Sequence, residues 1–453
     1  MDTRRILQSG VLFTDGVRCR WGVGGLGYWS TIDVRRFGVS GLLLPEKAVL
    51  LHIGPSKTGT TSIQQALFAA RPSLAEFGVL HAGRGAQPLN AVLALKGGKS
   101  LVGYPTPRME QWDWLVDQVR TAADERVIVS AEFFADLNAE TARRVVRDLG
   151  GPRVHVVVTL RPLAKIMPSQ WQQYLRNRAG FTYEDWLVGM LQKPPYNRPT
   201  PSFWARHEHD VLVERWASIV GPENVTVIVP DETDRTFLLR RFEELVGLPS
   251  GLLVEQRRAD NRSMTLGEIE LVRQVNLEFI RNGWSDELYL HVVRRGFASQ
   301  MQLNRTPYPD EPRISTPQWA LDRAAEIGAA AAEKLSTLGV RILGDISTLG
   351  APVVAAQPDE AVRAQAYVAV EAAREAVLGT VLSSGLLSPA TFVESTTSRD
   401  LIRIIRGRIV HRARRRLNRT RQKLHLSQPK PPNGDVSAQR VDEEGICAGG
   451  LGI

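Results

Sequence analysis

One segment constrains the fold of this chain more than any other. VLLHIGPSKTGTTSIQQAL, residues 49 to 67, reads as a strand, a Gly-rich turn and the start of a helix. Val49 to Ile53 is a short apolar run rich in Leu and β-branched residues, the pattern of a central parallel strand covered on both faces. Gly54 and Pro55 end it. From Thr60 onward Ile63, Leu67 and Ala70 recur at helical spacing, with Gln64 and Gln65 on the other side. Such a turn offers an anion the N-terminus of a helix, where unpaired amides and about half a unit of positive dipole charge favour it. Gly54 and Gly59 allow the backbone to close around that anion.

The position of the lysine narrows the chemistry. In the nucleoside-triphosphate loop G-x-x-x-x-G-K-[ST], the lysine follows the second glycine and the hydroxyl residue holds magnesium. Here Gly54 and Gly59 keep the glycine spacing, but Thr60 and Thr61 follow, and Lys57 lies inside the loop. A second buried strand, VHVVVTLRP, ends in Thr159, Leu160 and Arg161 and supplies no magnesium-binding carboxylate.

PSKTGTTS, residues 55 to 62, resembles the 5'-phosphosulfate loop of sulfotransferases that use 3'-phosphoadenosine 5'-phosphosulfate (PAPS), usually P-K-[ST]-G-T-T. The inserted Ser56 resembles a variant in carbohydrate-type members. A second motif, VVVTLRPLAKIMPSQWQQY, joins a strand ending in Arg161 to a helix carrying Ser169. In the family this arrangement grips the cofactor's 3'-phosphate, so the resemblance implies that role for Arg161 and Ser169. A guanidinium is chemically suited to it, because it makes bidentate contacts with phosphate, and a hydroxyl adds another donor. ATP has no 3'-phosphate, so the pair would select against it.

The resemblance covers about residues 47 to 350 and implies a three-layer α/β P-loop fold, a central mostly parallel sheet flanked by helices. It implies that Pro55, Ser56, Lys57, Thr58, Gly59, Thr60 and Thr61 bind the 5' end of PAPS. The acceptor it implies is a hydroxyl, or an amine, of a small molecule or glycan, with a carbohydrate or glycolipid foremost. Family members often complete the 3'-phosphate pocket with a later R-K-G loop, which this chain lacks. Arg257, Arg258 or Arg262 are the candidates to substitute, against the alternative of a solvated turn.

Sulfuryl transfer builds negative charge on the departing bridging oxygen, and a cation held there stabilises the transition state more than the ground state. Lys57 suits that role, and the scheme needs no metal. An acceptor hydroxyl also needs a base, which in the family is a His or Glu. Glu132, after the strand RVIVS, is the first candidate, and His207 and His209 in FWARHEHD are the second. His52 and His155 fall inside strands and read as core histidines. Two other readings stay open: a P-loop nucleotide kinase or NTPase, and a non-catalytic PAPS-fold binding protein.

The formal net charge of +9 invites a nucleic-acid reading, but ten Lys or Arg and no acid fall between Arg403 and Lys423. Without them the chain is near neutral, so the core has no basic footprint for nucleic acid. IRIIRGRIVHRARRRL from Ile402 reads as a basic amphipathic helix, able to lie on an anionic membrane or polyanion across residues 402 to 423, or simply to be solvated. No run approaches the roughly 18 apolar residues of a membrane span, and the N-terminus lacks the apolar core of a signal peptide. Cys19 and Cys447 suggest neither a disulfide framework nor a metal site, which fits a reducing cytoplasm.

Along the chain, residues 1 to 46 are Gly-rich with little periodicity and read as a flexible extension. Alternating strands and helices follow from Lys47 to about residue 350. Residues 351 to 426 read as a helical C-terminal extension, Ala-rich at 359 to 379, and 427 to 453 as a disordered tail. Trp112, Trp114, Trp171, Trp186, Trp204 and Trp216 are either core residues or stacking faces for a sugar or adenine, and spacing does not separate the two.

Overall fold

A computed structural model describes residues 41–97, 106–192, 199–256, 262–355 and 367–383, together with the backbone of three short strands before residue 41. Those strands, β1 (Phe13–Thr14), β2 (Arg18–Trp21) and β3 (Tyr28–Thr31), pair antiparallel into a separate meander. The expected flexible extension therefore contains strands. The reason is in the composition of the strands themselves, where Trp21, Tyr28, Trp29 and Thr31 are aromatic or β-branched.

Six parallel strands make the main sheet. They are β4 (Val49–His52), β5 (Val79–His81), β6 (Arg126–Ser130), β7 (Val154–Thr159), β8 (Val225–Ile228) and β9 (Arg341–Leu343). Their order is β5-β6-β4-β7-β8-β9, and every adjacent pair is parallel. β4 is the first of the six in sequence, and later strands add on both sides of it. The chain therefore reverses its winding direction there, and the carboxyl edge beside β4 is where open α/β sheets bind ligands.

The period-2 pleat of the strands sorts their side chains onto two faces. Val49, Leu51, Val127, Val129, Val156 and Val158 pack with α3 (Glu110–Thr121), α4 (Ala139–Asp148) and α8 (His209–Val220). Leu50, Ile128, Val157 and Ile228 pack on the opposite face against α1 (Thr60–Glu76) and α9 (Phe237–Val246). A fully buried Val, Leu or Ile stabilises the fold by about 1.5–3 kcal/mol, so these two layers hold the sheet edge in place.

A third apolar cluster is all helical. It joins α5 (Leu163–Leu175), α6 (Tyr183–Leu191), α7 (Pro201–His207), α10 (Leu266–Arg281), α11 (Asp286–Tyr289), α12 (Ala298–Asn304) and α13 (Gln318–Thr337) through Trp171, Trp186, Phe203, Phe279, Tyr289, Met301 and Ala324. Helix α10 starts at a capping box in which Thr265 accepts from the Glu268 amide and Glu268 accepts from the Thr265 amide. Helix α14 (Val370–Ser383) lies beyond residue 350 and buries Ala372 and Ala376 in this same cluster. The chain divides into two units, Met1–Ser384 and Gly385–Ile453. The second unit, with the basic segment 402 to 423 and the tail from 427, lies outside the described residues.

Candidate active site

The loop between β4 and α1 is built for an anion. Gly54 has φ 83° and Gly59 has φ 94°, backbone that most L residues avoid. Gly59 is the N-cap of α1, no side chain caps that helix, and its first turn contains no acid. Lys57 takes φ 69°, a left-handed conformation costing a non-glycine residue on the order of 1–2 kcal/mol.

Among the described residues the Lys57 ammonium has no hydrogen bond and no ion pair, although the side chain is half-buried. Burial lowers its pKa from the ordinary lysine value. The nearby Glu132 carboxylate raises it, and Arg176 lowers it further. A desolvated cation with no bound counter-charge is an electrostatic socket for an anion.

The neighbouring hydroxyls support the loop from behind. Ser56 Oγ donates to Gln170 Oε1 at 3.2 Å, and Thr58 Oγ1 donates to the Pro55 carbonyl at 2.7 Å. Thr58 Oγ1 also lies 2.7 Å from Thr159 Oγ1 at the end of β7. Beneath them His52 Nδ1 is 2.7 Å from Ser130 Oγ and Nε2 is 3.3 Å from Thr159 Oγ1. Burial lowers the His52 pKa to about 3, so this brace is neutral at ordinary pH. Ser56, Thr58 and Thr60 are buried, and Thr61 is exposed.

A cavity of about 450 Å³ opens in front of the loop, and Lys57, Thr61, Ser169, Arg176, Arg262 and Ser263 contribute to its lining. Ser169, Gln172, Gln173 and Arg176 all face it, the 0, 3, 4, 7 spacing of one helix face on α5. That spacing was legible in the sequence and would have found Arg176. Ser169 Oγ donates to the Ile166 carbonyl at 3.0 Å. Of the three late arginines, Arg257 and Arg258 lie outside the described residues. Arg262 reaches the cavity wall, but its guanidinium is held by both oxygens of Glu268 at 2.7 and 2.8 Å and by the Met301 and Gln302 carbonyls.

Arg161 follows β7 and forms a two-pronged ion pair with Glu232, just beyond β8. The guanidinium lowers the Glu232 pKa. The sequence reading missed Glu232 because 71 positions separate it from Arg161.

Glu132 opens a 3-10 turn, Glu132–Phe134, immediately beyond β6. The Gly54 backbone lies so close that a Cβ there would come within 2.9 Å of the Glu132 Cα. The turn is pinned from outside. Asp136 accepts from Lys96 at 2.7 Å and Arg206 at 2.8 Å, and Arg215 donates to the Leu137 carbonyl at 2.5 Å. Among the described residues nothing hydrogen-bonds the Glu132 carboxylate itself.

His207 and His209 are buried at the junction of α7 and α8. Neither ring nitrogen of His207 has a hydrogen-bond partner among the described residues, and the ring packs 4.9 Å from Phe203. Burial, with His209, Arg206 and Lys57 adding to it, pushes the His207 pKa well below the ordinary value. Burial takes His209 to about 4. His155 sits in the sheet, 2.8 Å from Thr226 Oγ1, as expected of a core histidine.

Five of the six tryptophans singled out above, Trp112, Trp171, Trp186, Trp204 and Trp216, are core residues. Trp114 is exposed. Among the described residues no cluster of three or more His, Cys, Asp or Glu could hold a metal ion, and no helix is long and apolar enough to cross a membrane.

No protein-family model and no curated protein matches this chain. A solved structure that resembles it is the crystal structure of a sulfotransferase from Alicyclobacillus acidocaldarius, with 16% identity and a TM-score of 0.34. The likeness covers 56% of this chain and 96% of that one, and at this TM-score it carries no weight for activity.

Proposed function

We propose that this chain is a P-loop transferase, and specifically a sulfotransferase that moves a sulfuryl group from PAPS to a hydroxyl, or an amine, of a small molecule or glycan. The observation that carries the reading is Lys57: a desolvated ammonium without a bound partner, at a helix N-terminus, in one cavity with Thr61 and Ser169 and close to Glu132.

In this reading the open amides of α1 and Thr61 hold the 5'-phosphate of the donor. Ser169 and Arg161 hold the 3'-phosphate, with Arg161 leaving Glu232 to do so. Glu132 accepts the acceptor's proton as the new bond to sulfur forms. The bond from sulfur to the bridging phosphate oxygen breaks, and Lys57 stabilises the charge that develops there. The products are the sulfated acceptor and adenosine 3',5'-bisphosphate, with the proton on Glu132. Glu132 suits the base role better than His207, because it lies against the loop at Gly54 while the His207 ring is buried against Phe203.

A carboxylate beside a phosphate loop is also where a nucleoside-triphosphatase holds magnesium, so the experiment includes that alternative. A thermal-shift assay should show stabilisation by adenosine 3',5'-bisphosphate with EDTA present, and little by ATP with magnesium. With labelled PAPS and a panel of glycans, Lys57→Ala should lower turnover about 100- to 1000-fold. The reverse ligand preference, or a fully active Lys57→Ala, would refute the proposal.

A further inference from the structure

A second cavity, about 690 Å³, lies beyond the carboxyl end of β5, on the same edge of the parallel sheet as the phosphate loop. The 83–88 turn, the start of α2 (Leu89–Leu95) and α3 form it. The turn is preformed: Arg71 of α1 donates to the Gly83 and Gly85 carbonyls at 2.5 and 3.0 Å, and the Gly83 amide donates to Gln118 at 2.8 Å. Helix α2 joins the cavity to the neighbourhood of Glu132: its first turns line the cavity, and at its far end Lys96 is tied to Asp136, four residues after Glu132.

The lining has a definite chemistry. Trp114 presents its ring here at 36% exposure, whereas Trp112, two residues earlier on the same helix, is 1% exposed in the core. The Arg84 guanidinium lies 4.7 Å from the Trp114 ring centroid and has no ion pair among the described residues. Gln87 Oε1 is buried in the lining with no hydrogen-bond partner. Asn90 and Gln111 add two more amides. Arg108 lies 3.9 Å from Glu110, so Arg84 is the lining cation placed to meet an anion at the Trp114 ring.

A flat indole suits the apolar face of a sugar ring, and the amides suit neighbouring hydroxyls. An aromatic acid would satisfy Trp114 and Arg84 but leave the buried Gln87 oxygen unpaired, which a sugar hydroxyl would satisfy. We propose that this cavity is the acceptor subsite and that it takes an acidic sugar, a uronate, with its carboxylate on Arg84 and its ring on Trp114. The assignment as acceptor rests on the sulfuryl-transfer reading above; the binding chemistry does not.

The test is saturation-transfer NMR on the full chain with cellobiouronate and, differing only in the carboxylate, cellobiose. Cellobiouronate should bind at least tenfold more tightly than cellobiose. Arg84→Gln should remove most of that preference, about tenfold, and Trp114→Ala should abolish binding of both. Thermal shift with adenosine 3',5'-bisphosphate on the same samples reports folding and the donor site, and should be unchanged in both variants. Equal binding of the two disaccharides, no binding of either, or unaltered binding by Trp114→Ala would overturn the uronate site. If the wild type binds cellobiouronate through Trp114 and also binds the bisphosphate, yet PAPS gives no sulfated uronate, the acceptor role is wrong. Failure of the bisphosphate alone would remove the donor reading and with it the acceptor role, while leaving the sugar site standing.

Discussion

At the scale of single residues, the site is a set of charges held in unequal balance. Lys57 is desolvated and unpartnered, Glu132 is close by with no hydrogen bond from the described residues, and Arg161 is occupied by Glu232. Glu132→Gln keeps the shape and removes the base, so turnover should fall about 100- to 10,000-fold with bisphosphate affinity nearly unchanged. His207→Gln should leave kcat within a few-fold of wild type. The opposite pattern would transfer the base role to the histidine. Glu232 competes with any phosphate for Arg161. Glu232→Gln should therefore tighten adenosine 3',5'-bisphosphate binding, measured by calorimetry, about tenfold for one charge-assisted pair no longer broken. Unchanged or weaker affinity would mean that Arg161 is a structural cation and not a phosphate grip.

Between elements, what matters is the approach of the β4 loop to the turn after β6. The two backbones come together at Gly54, where a side chain would need to displace the Glu132 backbone and would occupy φ 83°. Gly54→Ala should cost on the order of 1–2 kcal/mol in urea unfolding for the backbone conformation alone. Turnover should drop further than stability implies, because Glu132 moves relative to Lys57. A variant with normal kcat would show that this spacing is not catalytic. In the sequence Glu132 and Gly54 each stand out by their place after a strand, but their closeness to one another does not. A residue just past a buried strand lies at the ligand edge wherever the strand falls in the sheet, but only strand order β6-β4 puts this one next to the loop.

Over the whole molecule, buried histidines make stability depend on pH. Burial lowers His52 and His81 to about 3 and His155 and His209 to about 4, against an ordinary value near 6.5. Below pH 6.5 the unfolded chain takes up protons that the folded chain refuses. Stability is then full above about pH 6.5 and declines as pH falls toward 4 and 3, each group contributing a slope of at most about 1.4 kcal/mol per pH unit. The urea midpoint should drop between pH 7 and 5, and His155→Gln should flatten that decline. A midpoint that holds constant across the range would contradict the burial of these rings.

By itself the sequence determined the local parts: the strand beginning at Val49, the Gly-rich turn, the helix from Thr60, and an alternation of strands and helices that leaves little choice but a parallel sheet. Those follow from hydrophobic period and turn residues, which act over a few residues. Only the tertiary structure decided what faces what. It set Glu132 against Gly54, brought the Ser169–Arg176 face of α5 to Lys57, gave Arg161 to Glu232, sealed His207 in the core and left Trp114 outside it. Periodicity says which face of an element is apolar but not which element lies opposite. A side chain's charge state and partners are properties of that opposite surface.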